Sequence, residues 1–232
     1  MTHIQVNNNA SVSADGARWS CVGSSTDTDS FVAGMAAAAE ASGGDGVALY
    51  LVLAGRNHDH ERLVAGVAAQ APAGAIVVGC TASEETAVVG PADDGAVVLA
   101  VGGEGIAVST RCADVVGGDY RTAGEYVANC AWDLDDRGHT AVMLLSNASP
   151  LDVEQVMAGA LLTTASSIPV VSAQADDSRA NQAALFHATS AETRIGADQV
   201  IGIAISTAAP LNGGTADGWE SVSDLLSSVS LG

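Results

Sequence analysis

Residues 47–78 read VALYLVLAGRNHDHERLVAGVAAQAPAGAIVV, and this stretch decides the fold class. It opens on an apolar run, Val47 to Ala54, stopped by Gly55. Such an unbroken run marks a strand buried on both faces. From His58 to Gln70 the period changes, and Leu63, Val64 and Val67 fall on one helical face. Ala75 to Cys80 returns to a short apolar run. Strand, helix and strand in so short a span predict two parallel strands joined by a right-handed crossover.

Residues 140–171, TAVMLLSNASPLDVEQVMAGALLTTASSIPVV, repeat this pattern at an offset of 93 without a gap. Eight of the 32 aligned positions are identical. Matches such as Ala48 on Ala141 or Leu51 on Leu144 carry little weight in so Ala- and Val-rich a chain. The D-x-E-x-x-x-A-G match is more telling: Asp59 falls on Asp152, Glu61 on Glu154, and Ala65-Gly66 on Ala158-Gly159. It predicts two pseudo-repeats of the form β-α-β-β-β. Strands apolar on both faces need cover on both sides. Two stacked sheets with helices outside would supply it, as would one mixed sheet between helix layers. The fold class is α/β with mixed α+β character, in mixed sheets covered by helices.

The remaining elements follow from period and punctuation. Trp19 to Gly23 and Ser30 to Ala41 read as a strand and an Ala-rich helix. Thr86 to Val89, Ala96 to Val101 and Ile106 to Arg111 read as strands separated by Gly-rich turns, with Gly102 to Gly105 a hairpin turn. Tyr120 to Leu134 and Asp152 to Ser166 read as helices. Pro169 to Ala173, Ala184 to His187 and Val200 to Ser206 read as strands. The later strands of each repeat are expected as antiparallel hairpins. Residues 1–17 form a flexible lead-in, 18–222 a single domain and 223–232 a tail.

Composition narrows the function. The 232 residues hold 27 acidic and 8 basic side chains, for a net charge of −19, and every basic residue is Arg. That charge argues against phosphate-backbone contacts with nucleic acid and against an anionic membrane surface. A salty cytoplasm and a GC-rich codon bias both fit the absence of Lys. Cys21, Cys80, Cys112 and Cys130 form no C-x-x-C pair, which suits reduced thiols in a cytoplasmic protein.

Ligands in open α/β sheets bind beyond the carboxyl ends of parallel strands. Four loops answer that rule: Gly55 to His60, Gly79 to Glu85, Asn147 to Pro150 and Ser172 to Asp177. Arg56, His58, Asp59, Gly79, Cys80, Thr81, Ser83, Glu84, Asp176 and Asp177 are the candidate ligand-binding residues. Arg56 is the natural anchor for a carboxylate, because its planar fork suits bidentate pairing. Plainer roles stand beside these. Asp59 can cap the following helix, Cys80 can be a small core residue, and the acidic pairs Glu84-Glu85 and Asp176-Asp177 can be solvated turns. His58, His60 and Cys80 also suggest a zinc- or thiol-dependent hydrolase. No Walker motif, G-x-S-x-G elbow or phosphate cradle is present.

The arrangement resembles the FIST N-terminal domain, a sensory module of bacterial and archaeal signalling proteins. The likeness rests on Trp19 to Gly23, on LYLVLAGRNHDHERLVAGV with its His-Asp pair, and on Val78-Gly79-Cys80-Thr81-Ala82-Ser83-Glu84. It rests also on the Asp94-Gly95 turn, Gly105-Ile106, Pro169-Val170-Val171, Asp176-Asp177 and Gly213 to Trp219. Ser172 and Ser83 stand where the family pattern has Gly. The resemblance implies a non-enzymatic domain that binds a small ligand, an amino acid or small carboxylate, and couples to signal transduction. It implies no catalytic residue, metal or cofactor. A FIST C-terminal domain or signalling protein is the expected partner; the chain is expected either to be a stand-alone first half or to pair with a partner chain.

Overall fold

The computed structural model describes residues 18–82, 95–135, 137–175, 184–208 and 210–211. Two sheets stack face to face with a pair of helices on each outer side. The first sheet contains β1 (Trp19–Ser25), β2 (Val47–Ala54), β3 (Ile76–Thr81) and β4 (Ala96–Gly102). The second contains β5 (Ile106–Asp114), β6 (His139–Ser146) and β7 (Val170–Gln174). A short hairpin, β8 (Leu185–Ala188) and β9 (Thr193–Gly196), joins the first sheet, and β10 (Gln199–Thr207) joins the second. Strand order is β1-β4-β2-β3-β8-β9 in one sheet and β5-β10-β6-β7 in the other.

The internal repeat is written in these orders. The pairs β2/β3 and β6/β7 are parallel, whereas β4 and β10 run antiparallel to both neighbours. Helices α1 (Ser30–Ala41) and α2 (His60–Gln70) cover the first sheet, and α3 (Tyr120–Ala128) and α4 (Pro150–Thr163) the second. Each repeat also takes in a strand and helix upstream, β1–α1 and β5–α3, and so reads β-α-β-α-β-β.

Alternation sorts the side chains into three layers. Tyr50, Val52, Leu63, Val67, Val98 and Phe186 pack with α1 and α2. Val127, Val142, Leu144, Val156 and Val200 pack with α3 and α4. Leu49, Val78, Leu145, Leu185, Ile201 and Ile203 fill the space between the sheets. The stacked-sheet solution therefore prevails over a single mixed sheet.

The D-x-E-x-x-x-A-G match has a packing cause. A Cβ built at Gly66 would lie 2.2 Å from the Phe31 carbonyl oxygen, and one at Gly34 would lie 2.2 Å from that of Leu63. In the second layer Gly159 would meet the Arg121 carbonyl at 2.1 Å and Gly124 that of Val156 at 2.2 Å. Each helix pair thus crosses backbone to backbone at reciprocal glycines.

Several expectations need correction. The strands after β3 do not follow as successive hairpins. β4 inserts between β1 and β2, so both its edges are already paired when the chain reaches Gly102. The Gly102–Gly105 segment is accordingly no hairpin turn; it carries the chain from one sheet to the other. The helix from Tyr120 tightens at Asn129 into a 3₁₀ turn ending at Asp133. α4 starts a little earlier than expected, with Ser149 as its cap and Pro150 in its first turn. It stops at Thr163, before Ala165 and Ser166, which both adopt positive φ. β9 had no counterpart in the sequence reading. Thr86 to Val89 lies outside the described residues.

Candidate functional site

β2 and β3 end side by side, with Ala54 opposite Thr81. The Gly55–Asp59 loop leaves this edge and is fastened on several sides. The Gly55 N–H donates to the Gly95 carbonyl at 2.7 Å. The buried His58 ring places Nδ1 3.2 Å from Ser30 Oγ, and the same hydroxyl accepts the Asp59 N–H at 2.9 Å. Ser30 thus ties the first turn of α1 to the loop before α2. The Asp59 carboxylate caps α2 by accepting the Arg62 N–H at 3.1 Å. Arg62 in turn reaches Asp29, the cap of α1, at 2.9 Å. Arg56 sits half-buried in the turn of this fastened loop.

Asp59 therefore performs its plainer role, while its repeat mate Asp152 does not share it. Since α4 begins nearly a turn earlier, Ser149 is the cap, and its hydroxyl donates to Asp152 at 2.6 Å.

On the β3 side, a Cβ at Gly79 would lie 2.0 Å from the Val52 carbonyl oxygen, so the strands approach closely there. Thr81 is buried; its N–H donates to the Ala184 carbonyl at 3.0 Å, and its Oγ1 accepts the Ala184 N–H at 3.2 Å. The start of β8 is thus pinned to the same edge. Cys80 turns the other way, into the layer between the sheets, where burial pushes its thiol up to about 11.

His60 opens α2 and lays its ring 5.0 Å from that of Phe186, on the helix side of the first sheet. Desolvation holds its pKa below the ordinary value, against a hydrogen bond to the Gly55 backbone and the charge of Asp59, which raise it. Its Nε2 is buried with no hydrogen-bond partner among the described residues.

Arg56, His58, Asp59 and Thr81 are thus gathered at one edge, with Gly79 just inside it. The hydrolase arrangement is not supported. Cys80 and His60 lie on opposite faces of the sheet, and a thiol at about 11 is protonated at neutral pH. No group of three His, Cys, Asp or Glu among the described residues could hold a metal ion. Ser83, Glu84, Asp176 and Asp177 lie outside the described residues.

Two clefts fall elsewhere. One of about 530 Å³ is lined by Glu61, Thr193, Arg194, Ile195 and Gln199. Another of about 410 Å³ lies between β5 and α3, against Tyr126 and Arg194. Arg194 lies in β9, whose four residues show neither a sustained alternation nor a turn signature, and Gln199 opens β10 just ahead of the apolar run from Val200.

These observations define a class: a duplicated four-layer α/β domain with a fastened polar loop at the carboxyl edge of one sheet. Residues 48–226 match the family described as the FIST N domain, and the chain belongs to that family, one of sensory domains in signal transduction. The match starts inside β2, so β1 and α1, which complete the first sheet and its helix layer, precede it. No curated protein matches the chain. No helix among the described residues is long and apolar enough to cross a membrane.

Proposed function

We propose that this domain is a non-enzymatic, cytoplasmic sensor of a small ligand, an amino acid or small carboxylate, held at the carboxyl edge of β2 and β3. The observation that supports this reading is the fastening of the Gly55–Asp59 loop through Ser30, at the edge where β2 and β3 end in parallel with Ala54 opposite Thr81. A rigid loop at such an edge loses little conformational freedom on binding. Arg56 supplies the carboxylate anchor in an otherwise acidic protein. His58, Asp59, Gly79 and Thr81 shape the loop and strand ends behind it, and Cys80 supports β3 from the other face. Ser83, Glu84, Asp176 and Asp177 belong to the same proposed pocket. Occupancy is passed to a FIST C-terminal domain or signalling protein, with no nucleic acid, membrane or cofactor involved.

The test is a thermal-shift screen over amino acids and related carboxylates, at low and high salt, on the wild-type chain and Arg56→Ala. A compound that raises the melting temperature of the wild type but not of Arg56→Ala is the expected result. An unchanged response in the variant removes Arg56 from the pocket, and no response to any compound removes the sensor reading.

A further inference from the structure

The solvent side of α3 carries aromatic side chains. In a chain with 3% aromatic residues, Tyr126 is 51% exposed, and Trp132, in the 3₁₀ turn that continues α3, is 58% exposed. Val116, in the loop before α3, is 80% exposed. Arg111 of the edge strand β5 ties the two aromatics together. Its guanidinium lies 5.5 Å from the Tyr126 ring centroid and donates to both oxygens of Asp133, next to Trp132, at 2.8 and 2.7 Å. Tyr126 is thereby held in place before any partner arrives. Trp, Tyr and Arg are the side chains that carry most of the binding energy at protein–protein interfaces.

The cleft of about 410 Å³ between β5 and α3 borders this patch, with Ala113, Val116, Ala123 and Tyr126 as its apolar walls. Of its charged side chains, Asp114 and Arg194 neutralise each other in an ion pair. Asp119 is different: no cation pairs with it among the described residues. Its Oδ1 accepts the Thr122 N–H at 3.1 Å as the cap of α3. Asp119, Thr122, Ala123 and Tyr126 follow helical spacing, so the carboxylate and the ring sit on one side of α3.

We propose that this face is a docking surface for a protein partner, and that the partner inserts an Arg side chain flanked by apolar residues into the cleft. The guanidinium pairs with the Asp119 carboxylate, and the flanking side chains cover Val116, Tyr126 and Trp132. Arg suits the place better than Lys because its planar group also stacks on an aromatic ring. An acidic side chain is disfavoured, since it would meet Asp119 and a chain of net charge −19, with Arg194 already neutralised. A second copy of the chain is disfavoured by the same charge. The surface lies on the helix layer of the second sheet, apart from the β2/β3 edge, so the inference does not rest on the Arg56 pocket.

Backbone amide chemical-shift mapping on the full chain tests this, with acetyl-Leu-Arg-Leu-amide as the probe and acetyl-Leu-Glu-Leu-amide as the control, at low salt. The Arg peptide should shift the amides of residues 111–126 and the indole N–H of Trp132, and the Glu peptide should not. Asp119→Asn keeps an equally good capping residue. It should weaken the response to the Arg peptide about tenfold, as expected on losing a charge-assisted hydrogen bond. Tyr126→Ala should weaken it as well. Equal shifts with both peptides, an unaltered response in Asp119→Asn, or no shift at residues 111–126 each overturn the surface. A concentration-dependent dimer that Trp132→Ala dissolves would give the face to a second copy and overturn it too. So would nuclear Overhauser contacts from Trp132 to residues 212–232 in the free chain, which would show the face already covered. Absent peptide shifts together with an Arg56-dependent thermal shift remove this inference and leave the Arg56 pocket standing; the reverse pair of results does the opposite.

Discussion

Gly66 stands so close to Phe31 that a methyl group in place of its hydrogen would lie 2.2 Å from the Phe31 carbonyl oxygen. Gly→Ala inside a helix ordinarily stabilises by about 1 kcal/mol. Here the sign should reverse, because backbone rather than a flexible side chain occupies the space. Gly66→Ala and Gly159→Ala are each expected to lower unfolding free energy in urea by about 1–3 kcal/mol, the range for overpacking. The helix pairs lie on opposite sides of the molecule, so the double variant should lose close to the sum. A stabilised Gly66→Ala would show that α1 and α2 can separate without cost.

Ser30 links a helix start to the proposed pocket. Its hydroxyl serves both His58 Nδ1 and the Asp59 N–H. Ser30→Ala leaves the buried His58 ring and the part-buried Asp59 N–H without that partner and should destabilise by about 1–3 kcal/mol. It should also weaken any ligand held by Arg56, although Ser30 lies on a different element. Unchanged hydrogen exchange of the 55–59 amides in this variant would contradict the fastening described.

Acid should weaken the fold through two histidines. Burial lowers the pKa of His60. Burial also lowers that of His187, with Arg194 lowering it further and Glu192 raising it. His187 bridges the sheets by an Nε2 contact of 2.8 Å to Thr110, and its Nδ1 has no partner among the described residues. An unfolded histidine takes its proton near pH 6.5. The folded chain resists longer, so these groups contribute fully above about 6.5 and their contribution falls as pH drops through that value toward the lower folded pKa. The difference in urea midpoint between wild type and His187→Gln should therefore narrow between pH 7.5 and 5.5. A constant difference would refute the linkage.

The thiols should react in a defined order. Cys80 and Cys112 are pushed up to about 11 and Cys130 to about 12, burial being the main cause in each. Cys21 is half-exposed on the edge strand β1. Mass spectrometry of native protein treated with iodoacetamide should find Cys21 modified first, with Cys80, Cys112 and Cys130 protected until unfolding. Fast labelling of Cys80 would revive the thiol chemistry that the sheet faces argue against.

Salt bears on the net charge of −19. At 1 M salt the screening length shrinks to about 3 Å, which suppresses repulsion among exposed carboxylates. The melting temperature should rise as KCl increases into the molar range. A flat or falling curve would assign the missing Lys to codon composition.

Much of this fold was legible in the chain. The apolar run Val47–Ala54 announces a doubly covered strand, and the spacing of Leu63, Val64 and Val67 announces the helix after it. The aligned Gly66 and Gly159 signal the repeat, although their reason, a backbone crossing, emerges only in three dimensions. Strand order was not legible, since nothing local tells β4 to pair between β1 and β2 rather than with β3. The proposed edge was legible as a rule about parallel strands, and so was Arg56. The direction in which Cys80 faces depends on pleat register, which a short run apolar on both sides does not encode. Arg194 was invisible because its importance comes from Cys112 and Asp114, 82 and 80 positions away along the chain.

The hairpin has one more consequence. β8 and β9 come from the second repeat but are stitched onto β3 of the first. Neither half closes its own architecture: the first ends with a bare margin at β3, and the second carries a ribbon that its own sheet does not bind. The duplicated halves are thereby interlocked like clasped hands. A nick in the crossover between Gly102 and Ile106 would leave fragments that still recognise one another, whereas either fragment alone would be left with an unpaired, sticky strand margin.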